Sequence, residues 1–564
     1  MVRDHFDAVV IGSGFGGSIV ALRLASAGKR VLVLERGQPY PPGSFPRSPA
    51  GMRRNFWAPK GELFGMFDIW SFQHVIAVVA SGLGGGSLIY ANVMIRKEER
   101  TFVKEDVTVR GYENWPVTRA DLDRHYDRVS EIQEPEKYPF TYGRPYSLTA
   151  KTQAMKDAAA RLDLDIRLPQ LAVRFAAMPG RPVPGEEIPG GRHNLHGTPR
   201  STCRLCGECD VGCNYGSKNT LDLTALTLAW RTGNALIRTC CEVHTITPLA
   251  PGDGSRGYTI AYSQHLEARD SHPTRLLDPD EQQRERTVHA TKVVLAAGSL
   301  GTTRLLLRNR PSLPGLSRAL GSRFSANGDY FAWIRNARNR RGGGWRDLEP
   351  DRGPVITASI HVDERSSPSG RGYYVQDAGA PSLASWLWQG LELPDDLLKA
   401  RKLVFRRFRD QLLGKRDTHV SRLLASLFGD AHDSAAMMPL LGMGRDIAGG
   451  RFHLDEGRFE LSWSPQASHD YEQGVRKTFQ DLARALNGEL TRDGLELLKQ
   501  SITAHPVGGC PMSEDPRLGV VDAWGKVHGY EQLWIADGSV MPGPVGANPS
   551  FTIAALADRF SQGM

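Results

Sequence analysis

The fold is decided by residues 6–35, which read FDAVVIGSGFGGSIVALRLASAGKRVLVLE. The apolar run 6–11 predicts a buried strand, residues 18–27 predict a helix, and residues 29–34 predict a second strand. The turn between the first strand and the helix is the glycine-rich run 12–17. A strand, a turn of this kind, a helix and a strand that ends in an acidic residue indicate a dinucleotide-binding unit of α/β fold.

The residues of this turn have separate roles in such a unit. Gly12 permits the tight turn, Gly14 lets the backbone approach a pyrophosphate, and Gly17 lets the helix pack closely against the strand. The phosphates lie at the helix N-terminus, and the acidic residue hydrogen-bonds a ribose hydroxyl. The expected nucleotide contacts here are Gly12, Gly14, Phe15, Gly16, Gly17 and Glu35.

Two further glycine-rich stretches suit the same kind of ligand. Residues 81–88 read SGLGGGSL, and their consecutive glycines present several N–H groups to an anion. Residues 293–298, VVLAAG, form a strand-plus-glycine element of the kind that flanks a flavin nucleotide. FAD and NAD share the N-terminal fingerprint, so that fingerprint alone does not choose between them.

The C-terminal stretch supplies candidate catalytic groups. Residues 504–510 read AHPVGGC and residues 546–549 read GANP. His505 offers a titratable ring, and Asn548 offers an amide that both donates and accepts hydrogen bonds. The glycines around them let the backbone approach a flat ligand.

Together these motifs resemble those of the glucose–methanol–choline (GMC) oxidoreductases, in particular the bacterial cholesterol oxidase-like branch. The resemblance rests on the N-terminal fingerprint and on residues 82–92, 203–219, 293–307 and 504–559; it is thin between about 330 and 490. It implies a Rossmann-like FAD-binding domain assembled from discontinuous segments. It also implies an α+β substrate domain whose antiparallel sheet lies over the flavin.

These landmarks predict how the chain is divided. The FAD-binding domain is expected at 1–40, 75–96, 220–320 and 505–564, and the substrate-binding domain with its lids at 97–215 and 321–504.

The resemblance also implies an active-site pair and the manner of flavin binding. His505 and Asn548 correspond to the active-site histidine and asparagine of the family. Some relatives attach FAD covalently through a histidine just before the residue that matches Asn92; Ala91 stands there, so noncovalent FAD is expected. The remaining expected flavin contacts are Gly82, Gly86, Ser87, Asn92, Gly298, Asp537, Gly538 and Asn548.

The expected reaction is oxidation of a bulky apolar alcohol, a sterol or another secondary or long-chain alcohol, by hydride transfer to flavin N5. His505 accepts the hydroxyl proton and Asn548 fixes the hydroxyl. Isomerising cholesterol oxidases carry a glutamate that faces the substrate, whereas the best alignment puts Gln376 there. An amide does not shuttle protons, and the adjacent Asp377 is expected on the other face of the strand.

Four of the seven cysteines lie within residues 203–213, CRLCGECDVGC. Their spacing equals the core of the bacterial ferredoxin run, although Asn214 stands where that run has proline. Three interpretations remain open: a turn packed beside the flavin, an iron–sulfur cluster, or structural zinc. The candidate ligands are Cys203, Cys206, Cys209 and Cys213.

Two rival functions follow from these patterns. An electron-transfer flavoprotein would use an iron–sulfur cluster at 203–213 and oxidise no alcohol. A nicotinamide dehydrogenase would bind no flavin. For an alcohol-oxidising enzyme, the electron acceptor is oxygen, a quinone or a protein, and the sequence leaves this choice open.

Charge and targeting signals bear on location and partners. The net charge of +8 permits attraction to acidic surfaces, but no nucleic-acid-binding module is recognisable. Residues 397–413 combine basic and apolar residues at helical spacing, which indicates a surface helix packed on the substrate domain or a helix lying on an anionic membrane. The first strand begins within six residues of the start, without room for a signal peptide, so a cytoplasmic protein is expected.

Overall fold

The computed structural model describes residues 5–106, 111–265, 285–339, 344, 346–367, 369–379, 437–491 and 500–564. The helices are α1 (Phe15–Ser26), α2 (Pro49–Arg54), α3 (Arg119–Gln133), α4 (Ala150–Leu162), α5 (Ala225–Arg231), α6 (Gly298–Arg308), α7 (His469–Ala485) and α8 (Ser550–Phe560). The strands are β1 (His5–Ile11), β2 (Val31–Leu34), β3 (Trp57–Ala58), β4 (Leu63–Phe64), β5 (Phe67–Ser71), β6 (Val75–Ala80), β7 (Val103–Asp106), β8 (Gly111–Asn114), β9 (Glu136–Lys137), β10 (Ile166–Arg167), β11 (Gln170–Leu171), β12 (Ala176–Met178), β13 (Arg181–Pro182), β14 (Ala235–Arg238), β15 (Cys241–Pro248), β16 (Tyr258–Gln264), β17 (Arg286–Leu295), β18 (Ser322–Phe324), β19 (Tyr330–Arg335), β20 (Ser359–Val362), β21 (Tyr373–Asp377), β22 (Met438–Gly444), β23 (Gly450–Asp455), β24 (Arg458–Ser462), β25 (Glu489–Thr491), β26 (Ser501–Thr503) and β27 (Leu533–Ile535).

The predicted dinucleotide unit lies at the centre of a seven-stranded sheet. The strand order is β14-β2-β1-β17-β16-β15, and β27 also pairs with β17. The pairs around β1 are parallel, as are β14 with β2 and β17 with β27, whereas β15, β16 and β17 pair antiparallel. Val9, Val10 and Leu32 are fully buried, which explains why these strands are continuous apolar runs. The sheet draws strands from separated parts of the chain, and this confirms the predicted α/β fold.

Helix α1 begins earlier than the sequence pattern indicates. It starts at Phe15 rather than residue 18, directly after Gly14, so that Gly16 and Gly17 form its first turn. Residues without side chains let this turn approach the sheet closely, a tertiary effect that hydrophobic periodicity does not detect.

A second, antiparallel sheet has the order β10-β20-β21-β22-β19-β25. Tyr373 and Val375 of β21 are buried in an apolar cluster with residues of α4 and α7, so these helices cover that face. Gln376 lies between Val375 and Asp377 in the strand, so its side chain points to the opposite face of the sheet. The antiparallel sheet expected for a substrate domain is therefore present, while the proposed domain boundaries remain a prediction.

Two observations bear on whether the protein contacts a membrane. Among the described residues, no helix is both long and apolar enough to cross a bilayer. The basic amphipathic segment 397–413 lies outside the residues that the structure describes. Cytoplasmic location and peripheral membrane contact thus both remain predictions.

One carboxylate joins three helices at the back of the first sheet. Asp558 of α8 is buried and accepts a hydrogen bond from His125 Nδ1 of α3 at 2.6 Å and another from Arg23 of α1. Burial alone would raise the pKa of Asp558, but the His125 hydrogen bond and the Arg23 charge outweigh it and hold the pKa below its ordinary value.

We expect Asp558→Asn to lower the free energy of unfolding by about 3 kcal/mol at pH 7, because it leaves buried donors without their anion. Since the native pKa is depressed, this stabilisation exists at neutral pH and disappears as the pH falls below about 4, towards the native pKa. Urea unfolding at pH 7 and pH 3.5 measures both effects. Asp515→Asn, which removes the carboxylate partner of the exposed Arg517, is the control and should change stability by less than about 1 kcal/mol.

Candidate active site

Glycines of the N-terminal turn lie in contact with the neighbouring strands. A methyl group at Gly16 would lie 1.4 Å from the carbonyl oxygen of Ala536, and one at Gly12 would lie 2.3 Å from that of Ala296. Gly12 also has a backbone φ angle of +102°, which residues with a side chain rarely adopt. The turn is therefore locked between the ends of β17 and β27.

Other glycines in the same stretches border open space instead. A methyl group at Gly14, Gly86 or Gly298 would meet no atom within 4 Å. The first two stretches touch each other, because a methyl group at Gly85 would lie 2.7 Å from the Cα of Gly14. The start of α1 thus adjoins open space, at the place where the sequence pattern predicts the pyrophosphate of a dinucleotide.

The side chain of Asn92 fits a residue that contacts a bound group. It is fully buried, yet neither its amide nitrogen nor its amide oxygen has a hydrogen-bond partner within the protein. Buried polar groups are almost always paired, so both atoms are available to a cofactor. Its position after the 81–88 loop fits a flavin, as the sequence predicts.

Three predicted nucleotide contacts hold the loops together. The Glu35 carboxylate accepts hydrogen bonds from Ser13 Oγ at 2.6 Å and from the Gly37 N–H at 2.9 Å. The Phe15 ring packs edge-on against Tyr90, with centroids 5.3 Å apart. Ser87 Oγ donates to the Gly84 carbonyl oxygen, 2.7 Å away. The contact of Glu35 with a ribose remains a prediction.

Gly82 also has a packing role. A methyl group there would lie 2.7 Å from Leu88 Cδ1 and 3.0 Å from the Tyr40 ring.

The segment that contains Asp537 and Gly538 closes against the start of α6. The buried Asp537 carboxylate accepts hydrogen bonds from the Gly298 N–H at 3.0 Å and from Thr302 Oγ1 at 2.5 Å. Burial raises the pKa of Asp537, although these hydrogen bonds partly oppose the shift. The Gly508 N–H donates to the Gly538 carbonyl oxygen, which ties this segment to the one that carries His505.

His505 has a partner that the sequence analysis missed. Its Nδ1 lies 2.9 and 3.0 Å from the two carboxylate oxygens of Asp329, whose side chain is fully buried. Asp329 also accepts hydrogen bonds from Thr503 Oγ1 and from the Ala504 N–H, each at 2.9 Å. Because a carboxylate accepts from Nδ1–H, the ring presents Nε2 as its free nitrogen. Asp329 follows Asn-Gly, which reads simply as a turn, and no local pattern marks it.

Asn548 is hydrogen-bonded to Gln376, the residue aligned with the substrate-facing glutamate of isomerising cholesterol oxidases. Asn548 Oδ1 accepts a hydrogen bond from Gln376 Nε2 at 2.9 Å, and both side chains are buried. Asp377 instead binds Lys151 Nζ at 2.7 Å and the Thr357 N–H at 2.8 Å. The prediction that Asp377 points to the other face of the strand is confirmed.

The four-cysteine segment is packed through its backbone. Lys218 Nζ donates to the carbonyl oxygens of Cys209 at 2.8 Å and Leu88 at 3.0 Å, so the segment lies beside the 81–88 loop. Arg47 donates to Glu208 and to the Val211 carbonyl oxygen.

The thiols of this segment are not arranged as metal ligands. None of the four forms a disulfide, and they are Cys203, Cys206, Cys209 and Cys213. Burial raises the pKa of Cys206 to about 12, which favours the neutral thiol. No group of three or more His, Cys, Asp or Glu side chains in the described part of the chain could hold a metal ion. The iron–sulfur and zinc interpretations therefore receive no support, and the packed turn accounts for the contacts.

The fold and the glycine-lined space define a dinucleotide-dependent oxidoreductase. The GMC oxidoreductase family matches by its N-terminal profile at residues 6–310 and by its C-terminal profile at residues 421–557. The chain belongs to this family and is an FAD-dependent alcohol oxidoreductase, which excludes the nicotinamide interpretation.

Curated relatives extend over nearly the whole chain. A cholesterol oxidase of Mycobacterium tuberculosis is 28% identical over 99% of this chain and 91% of its own length. A cholesterol oxidase of Acinetobacter baumannii is 27% identical over 98% of this chain and 93% of its own. A long-chain-alcohol oxidase of Arabidopsis thaliana is 22% identical over 98% of this chain and 65% of its own.

A solved structure of a fungal aryl-alcohol oxidase shares the fold. It superposes with a TM-score of 0.59 at 15% sequence identity and covers 100% of both chains.

We expect Gly14→Ala to weaken FAD binding at least 10-fold while leaving the apoprotein as stable as the parent. The added methyl group meets no protein atom but occupies the space next to the α1 N-terminus. Fluorescence titration of apoprotein with FAD and thermal unfolding without it measure the two effects. Gly16→Ala is the contrasting variant: its methyl group overlaps the Ala536 carbonyl oxygen and should destabilise the apoprotein itself.

Proposed function

We propose that this protein oxidises a bulky apolar alcohol, a sterol or another secondary or long-chain alcohol, with noncovalently bound FAD. His505 accepts the hydroxyl proton and Asn548 fixes the hydroxyl. The observation that carries the proposal is the hydrogen bond between His505 Nδ1 and the buried carboxylate of Asp329.

Asp329 prepares His505 to act as a base. With Nδ1–H donated to the carboxylate, Nε2 keeps its lone pair and accepts a proton from the substrate hydroxyl. The anion then stabilises the ring when it becomes positively charged. Thr503 and the Ala504 N–H fix the carboxylate in turn, so the ring has one preferred orientation.

Asn548 and Gln376 supply a fixed, uncharged hydrogen-bonding surface. The Gln376 amide orients the Asn548 amide, which holds the substrate oxygen beside His505. Bound FAD supplies N5, the hydride acceptor. Gln376 carries no titratable proton, so we propose no double-bond isomerisation coupled to the oxidation.

The surroundings of Asn92 are apolar. Val93 belongs to one buried cluster with Leu441 and Met443 of β22, and the partly buried Ala91 and Phe331 pack against this cluster. An apolar environment beside the expected flavin contact suits an apolar alcohol. The names of the curated relatives, cholesterol oxidases and a long-chain-alcohol oxidase, point to the same kind of substrate. Their names as oxidases also favour molecular oxygen as the electron acceptor over a quinone or a protein.

FAD should be released from the purified holoenzyme by acid precipitation. Ala91 stands where covalently flavinylated relatives have histidine, so no side chain at this position can form the bond. The measurement is the yellow absorbance of supernatant and pellet. Flavin that stays with the precipitated protein would contradict noncovalent binding.

His505→Ala should slow anaerobic flavin reduction by cholesterol or 1-dodecanol about 100-fold or more, because it removes the proton acceptor. Asp329→Asn should retain FAD and slow flavin reduction by at least about 10-fold, since a neutral amide no longer stabilises the ring as it accepts the proton. Stopped-flow absorbance at the flavin band gives both results.

The control is His528→Ala, which removes another hydrogen-bonded ring of the C-terminal segment and should keep the parent rate. A His505→Ala variant that reduces its flavin as fast as the parent would exclude His505 from the reaction.

A further inference from the structure

The chain just before Asn548 is gripped by a buried asparagine. Asn327 Oδ1 accepts hydrogen bonds from the Val545 N–H at 2.8 Å and the Gly546 N–H at 3.3 Å. Asn327 Nδ2 donates to the Ala547 carbonyl oxygen at 2.9 Å. The fully buried side chain of Asn327 thus forms hydrogen bonds with the three residues that precede Asn548.

A buried lysine contacts the same loop. Lys97 Nζ donates to the carbonyl oxygens of Pro544 at 3.1 Å and Val545 at 3.0 Å, and the side chain is fully buried. Val545 therefore has its N–H bound by Asn327 and its carbonyl bound by Lys97. Both polar groups of the 544–545 peptide unit and of the 545–546 peptide unit are thus hydrogen-bonded to these two side chains, and so is the Ala547 carbonyl oxygen.

Asn327 belongs to the turn 325–329, which also contains Asp329. Ser325 exchanges backbone hydrogen bonds with Val507, two residues after His505. The Ala326 N–H donates to the buried Asp446 carboxylate at 2.9 Å, a further contact that holds the turn. The turn consequently contacts the segment of His505 through its first and last residues and the segment of Asn548 through its middle residue.

We propose that residues 325–329 are the positioning element of the active site, in which Asn327 sets the place of Asn548 and Asp329 sets the orientation of His505. Lys97 completes the grip on the Asn548 loop. The inference rests on the proposed function, since it assigns Asn548 and His505 a common reaction. Neither Asn327 nor Lys97 touches the substrate; each acts through the backbone of another segment.

The expected effect follows from how sharply catalysis depends on geometry. A displacement of about 1 Å at a group that orients the substrate lowers a rate by about 100-fold. Asn327 has φ +55°, a conformation that glycine adopts freely, so Asn327→Gly removes the side chain without straining the backbone. Asn327→Asp keeps the acceptor oxygen and the size of the side chain but loses the donor to Ala547.

The test compares the FAD-loaded parent, Asn327→Gly, Asn327→Asp and a control, Asn336→Gly. Asn336 also has φ +56°, but it is exposed and its amide donates to Glu489. We expect Asn327→Gly to accelerate hydrogen exchange at the Val545 and Gly546 amides and to lower the maximal rate of flavin reduction by cholesterol about 10- to 100-fold. FAD content and the acid limb of the pH–rate profile should stay as in the parent. Asn327→Asp should protect both amides and recover part of the rate, and Asn336→Gly should match the parent.

Two readouts separate the possible failures. Parent-like exchange at Val545 and Gly546 in Asn327→Gly, or the same rate loss in Asn336→Gly, would overturn the positioning role. A second outcome is that the two amides lose protection in Asn327→Gly while neither cholesterol nor 1-dodecanol reduces the flavin of the parent. Asn327 then still fixes the 544–547 loop, but the proposed function is wrong. Should Asn327→Gly not fold, Lys97→Met replaces it, with faster exchange at the Val545 and Gly546 amides as the expected result and unchanged exchange as the contradicting one.

Discussion

The close approach of Gly16 to the Ala536 carbonyl oxygen is the constraint on which the rest of the structure depends. Because no side chain fits between them, the first turn of α1 is in direct backbone contact with the residue that follows β27. The expected flavin space at Gly14 and the segment of Asp537 and Gly538 are thereby joined, although they come from opposite parts of the chain. The His505 segment is hydrogen-bonded to that of Gly538 and is carried along with it. The segments expected to bind FAD and the segment of the proposed catalytic histidine are thus brought together by one backbone contact.

Sequence patterns predicted the parts of the fold and site that have local signals. Glycine spacing, apolar runs and family motifs led to the α/β sheet, the antiparallel sheet, and the residues His505 and Asn548. The supporting residues have no such signals: 176 positions separate Asp329 from His505, and 218 separate Asn327 from Val545. Asn-Gly-Asp is an ordinary turn sequence, and an isolated lysine such as Lys97 reads as surface-exposed. Only tertiary contacts give these residues their roles.

The cysteine segment illustrates the opposite case, in which a strong local pattern finds no support in the packing of the described residues. Four thiols at ferredoxin-like spacing predict shared ligation only if their sulfur atoms converge. Here Lys218 and Arg47 bind backbone carbonyl groups of the segment, and burial disfavours thiolates such as that of Cys206. Spacing along the chain does not encode which atoms of a turn point inwards.

The Asp558 junction has a consequence for how the protein is made. His125 and Asp558 are 433 positions apart, and β27 joins the first sheet only when the C-terminal part of the chain is present. During synthesis, β17 is complete at Leu295, whereas β27 begins at Leu533 and the helix that packs on α1 and α3 begins at Ser550. Domains usually fold as units while the chain emerges, but this sheet and its helical cover are complete only after those later residues have left the ribosome. A truncation before Leu533 therefore removes the strand that pairs with β17, the buried carboxylate that joins α1 and α3, and the segment of Asn548.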